Sequence, residues 1–76
     1  MPHYFFHIRH NGAAERDEDG IDLPDRKTAW DQATMTCGEM IKDIDGSLAE
    51  GSDWHMDVED ESGPVFTIHF GAQSRR

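Results

Sequence analysis

The segment that decides the fold is WHMDVEDESGPVFTIHF, from Trp54 to Phe70. Trp54, Met56 and Val58 alternate with His55, Asp57 and Glu59. Beyond Asp60-Glu61-Ser62-Gly63, the apolar Phe66, Ile68 and Phe70 alternate with Val65, Thr67 and His69. A period of two marks strands with one buried face. A two-residue turn at Ser62-Gly63 would set Val58 opposite Thr67 and mix the faces. A three-residue loop, Glu61-Ser62-Gly63 with Gly63 in the left-handed bulge position, sets Asp60 opposite Pro64. Val58 then faces Phe66, Met56 faces Ile68 and Trp54 faces Phe70. This register is expected because it keeps one face dry.

Upstream, the apolar period changes from two to between three and four. Ala29, Ala33, Cys37, Met40, Ile41, Ile44 and Leu48 form one stripe, which predicts a helix from about Arg26 to Asp45 with Trp30 at the stripe's edge. Asp25 stands where an N-cap belongs, within reach of the amides of Lys27 or Thr28. Gly38 interrupts the helix at a cost of about 1 kcal/mol relative to alanine. Gly46 and Gly51 are plausible stops. Before the helix lies Asp17-Glu18-Asp19-Gly20-Ile21-Asp22-Leu23-Pro24, a turn-rich connector with Ile21 and Leu23 as expected core anchors.

The chain opens on another strand, His3 to Arg9. Tyr4, Phe6 and Ile8 share one face, and His3, Phe5, His7 and Arg9 share the other. Asn11-Gly12 supplies a hairpin turn, both positions of which need positive φ. Carried through, that turn pairs Ile8 with Glu15 and Phe6 with Asp17, setting carboxylates on the aromatic face. A short return strand relieves the conflict, as a register slip through a bulge also would. The predicted fold class is therefore α+β, in the order β-β-α-β-β. One helix packs on one face of a four-stranded, mostly antiparallel sheet. Residues 1–70 are expected to form a single domain and 71–76 a loose tail.

The composition excludes some partners. Among 76 residues, seven Lys and Arg stand against sixteen Asp and Glu, a formal charge of −9. Nucleic-acid backbones and anionic membrane surfaces need clustered cations, and the adjacent basic pairs here are Arg26-Lys27 and Arg75-Arg76. Neither nucleic acid nor membrane is an expected partner. One cysteine, Cys37, excludes an internal disulfide, and with no apolar run of spanning length a cytoplasmic location is expected. On the helical stripe, Cys37 reads as a small core hydrophobe.

Few residues group into chemistry. The expected hairpin register sets His55 opposite His69, with Cβ atoms ~5 Å apart, close enough to share a metal. Zinc requires further ligands, and Asp57 on the same face is the nearest candidate, with His3 and His7 joining only if their strand lies alongside. Glu15-Arg16-Asp17-Glu18-Asp19-Gly20 matches the start of a calcium loop, but its twelfth position falls on Arg26, not a glutamate. Ser47, Ser52 and Ser62 lie in turn-like sequence without a nucleophile motif. No cofactor is expected.

The opening Met1-Pro2-His3-Tyr4-Phe5-Phe6, the central Asp17-Glu18-Asp19-Gly20-Ile21-Asp22-Leu23-Pro24-Asp25 and the closing Asp60-Glu61-Ser62-Gly63 together resemble a family of short bacterial proteins known only as a domain of unknown function. Its members begin M-P-x-Y-F-F and carry D-E-x-G-x-x-L-P-D before a helix. The resemblance spans residues 1 to 70; it implies the same strand and helix order and brings no activity. The Met1-Pro2 start also looks like the tautomerase superfamily, whose N-terminal proline is a catalytic base. That family follows its first strand with a helix and a parallel strand, where this chain has an acidic hairpin region.

With catalytic signals absent, the expected function is a non-catalytic protein-interaction or regulatory module. The alternatives are metal binding through His55 and His69 and a tautomerase-like enzyme. Unpaired sheet edges invite strand addition by a protein partner or a second copy. Phe5, opposite Tyr4 and Phe6, is the apolar residue that a homodimer would cover.

Overall fold

A computed structural model of the protein describes residues 1–44 and 50–75. The strands are β1 (His3–His10), β2 (Ala13–Glu15), β3 (Ile21–Asp22), β4 (Asp53–Asp60) and β5 (Gly63–Gly71), with the helix α1 (Arg26–Ile44) between β3 and β4. The sheet is antiparallel in the order β2-β1-β4-β5, and β3 also pairs with β1. The protein is α+β as expected, with five strands rather than four. The return strand is split. Asn11 (φ 50°) and Gly12 (φ 88°) form the predicted turn, and β2 pairs His10 with Ala13 and Ile8 with Glu15. The chain then leaves the ladder at Arg16 and rejoins the same edge of β1 as β3, where Tyr4 pairs with Ile21. This excursion keeps Asp17 out of the aromatic face.

The β4–β5 hairpin keeps the predicted face. Val58 pairs with Phe66, Met56 with Ile68 and Trp54 with Phe70. The extra residue sits elsewhere than expected: Asp60 pairs with Gly63, not Pro64, and the register shifts between Val58 and Glu59, so Val65 is the bulged residue. A bulge within the strand has the same effect on parity as a longer loop. β5 includes Gly71, and Ala72 adds backbone bonds to Gly51 and Ser52 (2.9 and 3.0 Å). The paired structure thus runs past residue 70, where the tail was expected to begin.

The helix begins where Asp25 caps it. Its Oδ1 accepts from the Thr28 amide (2.8 Å) and hydroxyl (2.7 Å), and these bonds hold its carboxyl below the usual range. Ala29 and Ala33 are fully buried, and Cys37 nearly so, against Tyr4, Met56 and Val58. Small residues along this stripe let the helix lie close to the sheet. Full burial of Met56 and Val58 is worth about 1.5–3 kcal/mol each. Leu23 packs on this core, but Ile21 is exposed at the sheet edge and Ile41 lies on the open flank of the helix, neither as expected. The side chain of Ile44, and Gly46 and Leu48 entirely, lie outside the described residues. Among the described residues, no helix is long and apolar enough to cross a membrane.

Candidate functional site

The two faces of the sheet differ in chemistry because β1 and β4 lie side by side. On the face away from the helix, Phe5 pairs with Glu59, His7 with Asp57 and Arg9 with His55. The bonds run diagonally to the next residue along. His7 Nε2 lies 2.6 Å from Glu59 Oε1, and Arg9 donates from Nε (2.5 Å) and a terminal nitrogen (3.1 Å) to the Asp57 carboxylate. Thr67 on β5 donates its hydroxyl to Asp57 Oδ1 at 2.9 Å. These donors, Arg9 first, hold the Asp57 carboxyl below its usual range. Arg9 is half exposed, so solvent screens this ion pair and it adds little stability.

Asp17 organises the break between β2 and β3. Its carboxylate accepts from the amides of Gly20 (3.0 Å), Asp19 (3.2 Å) and Phe6 (3.2 Å), which lowers its pKa, the Gly20 bond being the largest cause. The side chain thus supplies the acceptor that β1 loses where the edge strand departs. Asp17 also donates its own amide to His7 Nδ1 at 3.0 Å. Gly20 (φ 67°) lies so close to His3 that a Cβ there would stand 2.6 Å from the His3 Nε2 and 2.7 Å from the Tyr4 carbonyl. Both ring nitrogens of His3 meet acceptors, Asp22 Oδ1 and the Asp19 carbonyl, each at 2.6 Å. The Asp22 bond first, then the Asp19 bond, raise the His3 pKa by favouring the imidazolium.

The residues singled out in the sequence fall as follows. His55 and His69 do face each other across β4 and β5, with ring centroids 5.4 Å apart and planes 19° from parallel. Near-parallel rings direct their in-plane lone pairs into separate planes. His55 Nε2 lies 2.9 Å from Asp53, while Asp57 is engaged by Arg9 and Thr67. Among the described residues, no group of three or more His, Cys, Asp and Glu is placed to hold a metal ion. The run resembling a calcium loop has its central carboxylate, Asp17, turned onto backbone amides. Phe5 is half-buried, its ring edge-on to His3 at 5.0 Å and stacked with His7 at 6.3 Å. Met1 is exposed and the Pro2 carbonyl accepts from the Leu23 amide at 3.0 Å. Cys37 is buried, with its thiol 3.9 Å from the Met56 sulfur, and burial pushes its pKa up.

Unpaired sheet edges were expected from the sequence, but not which edge stays open. β5 pairs with β4 alone, so its other edge carries backbone donors and acceptors without a strand partner among the described residues. The opposite edge of the sheet is broken into pieces of three and two residues, β2 and β3, which end in Glu15 and Asp22. β5 is nine residues long, GPVFTIHFG, without an acidic, Lys or Arg side chain. Beside it, Trp30 of α1 packs edge-on against Phe66 at 5.1 Å, and Arg26 lies 5.3 Å over the same ring. Trp30 remains 42% exposed on this flank of the helix, and Ile41, eleven residues on and so on the same side of α1, is 49% exposed. A signal was present: the uncharged run in an acidic chain.

An antiparallel sheet with one covering helix and one uncharged edge makes this a small α+β domain. The chain belongs to the family described as a domain of unknown function (DUF6894), whose model matches residues 3–71. No curated protein and no solved structure matches the chain.

Proposed function

We propose that the protein is a non-catalytic protein-interaction module that accepts a partner strand along β5. The observation that carries this reading is the contrast between the two sheet edges. Exposed edges template pairing with other chains, and proteins that avoid pairing shorten, charge or bulge them. The β2/β3 edge has all three of these features: short strands, carboxylates and an excursion at Arg16–Gly20. The β5 edge has a proline and a bulge at its beginning only, after which Phe66 to Gly71 run straight and uncharged. Strand addition draws affinity from main-chain hydrogen bonds and specificity from alternate side chains.

A photoreactive benzoylphenylalanine in place of Thr67, exposed on β5, tests this in cells, with the same residue in place of Gln32 on the outer helix as control. Protein adducts that form from position 67 and not from 32 are expected. Equal adducts from both, or none from 67, overturn the reading.

A further inference from the structure

We infer that the strand added to β5 is the β5 of a second copy, paired antiparallel about a two-fold axis; this rests on the reading of β5 as a pairing edge. A two-fold axis perpendicular to the sheet makes the contact self-complementary and joins two sheets into one, with both helices on the same face. Charge selects the occupant. The chain carries −9, and a cationic partner would be held by carboxylates. The carboxylates of this protein lie off β5, among them those of the outer face and the β2/β3 edge, Asp60 and Glu61 at the turn before β5, and Asp31, Glu39 and Asp43 on α1. Gly63 to Gly71 has none. For an acidic chain to meet its own copy, the meeting strand must be free of carboxylates, and β5 meets that condition; the charge that lies beside it, over Phe66, is the Arg26 guanidinium.

Spacing supports the same occupant. The helix packs over the β1/β4 region, its buried stripe against Tyr4, Met56 and Val58. With neighbouring strands about 4.8 Å apart, the two β4 strands of such a pair stand ~14 Å apart. Helices centred between β1 and β4 stand one strand spacing further apart, at ~19 Å. Helices in direct contact lie at about 8–10 Å, so a gap about two side chains wide, one from each wall, remains between them. Its floor is Phe66, Ile68 and Phe70 of both copies, and Trp30 and Ile41 project from its walls. These half-exposed apolar groups of the isolated chain become the interior of the pair.

Light scattering across a hundredfold concentration range measures the result, with the photoreactive Thr67 variant run beside it. The expected mass approaches twice the 8.6 kDa of one chain, and 0.5 M salt shifts the equilibrium toward the dimer by screening like charges. Thr34→Glu, an exposed change one helical turn beyond Trp30, is expected to weaken association at least tenfold with its circular dichroism unchanged. Trp30→Glu is expected to do the same if it folds. A mass of one chain at every concentration overturns self-pairing, as does association weakened by salt. Adducts from position 67 that contain only other proteins overturn the second copy while leaving the β5 edge as the docking strand. No adducts from position 67 removes both readings.

Discussion

The backbone amide of Asp17 donates to Nδ1 of His7 at 3.0 Å, and the other ring nitrogen of His7 meets Glu59 at 2.6 Å. The two bonds fix the neutral ring in one tautomer: Nδ1 accepts, so the proton is on Nε2, where it is donated to the carboxylate. His7 is buried, which makes both bonds costly to lose. The side chain thus joins β4 to the turn that splits the sheet edge.

His7→Ala leaves the Asp17 amide without its acceptor and the Glu59 carboxylate without its donor. Removing one partner of a buried hydrogen bond costs about 1–3 kcal/mol. Urea denaturation is expected to show a loss in that range, and nitrogen NMR of the native ring to show the Nε2–H tautomer. A population protonated on Nδ1 alone would contradict the geometry.

Asp17→Ala removes the acceptor of three amides at once. The expected loss is about 1–3 kcal/mol, since the turn is near the surface and water replaces part of the bonding. Hydrogen exchange is expected to quicken at Phe6, Asp19 and Gly20 and to stay unchanged in β4. Unchanged exchange at Phe6 would show that the carboxylate does not complete the edge of β1.

Acidity acts on this edge in two directions. His3 has a raised pKa in the fold, so its contribution is full below its ordinary value of 6.5 and is lost as pH rises through the folded value. Asp17 and Asp57 have lowered pKa values, so theirs are full above the ordinary 3.8 and are lost as pH falls through the folded values. All three therefore act together between about pH 4 and 6.5. Thermal unfolding is expected to be highest in that window for these groups, and His3→Gln to flatten the decline on its alkaline side. An unchanged alkaline limb in the variant would remove His3 from the account.

Cys37 is 5% exposed, and burial raises its thiol pKa. The thiolate is the reactive form, so a thiol reagent must wait for the helix to lift from the sheet. Labelling is expected to follow the unfolding equilibrium and to accelerate with urea. Rapid labelling of the native chain would show that α1 opens independently of the sheet.

Local pattern alone determined the terminal hairpin face, the Asn11-Gly12 turn, the Asp25 cap and the helix stripe through Cys37. Period and turn chemistry act over a few residues, so they are legible without knowing what lies alongside. The facing of His55 and His69 followed from the same parity. Tertiary structure decided the rest. His7 meets Glu59 across 52 positions of sequence and Arg9 meets Asp57 across 48, pairings that exist only because β1 lies beside β4. The split of the return strand, the inward turn of Asp17 and the exposure of Ile21 depend on the same placement. Which edge of the sheet stays open does too: strand order is set by long-range burial, and the period of a strand carries no information about its neighbour.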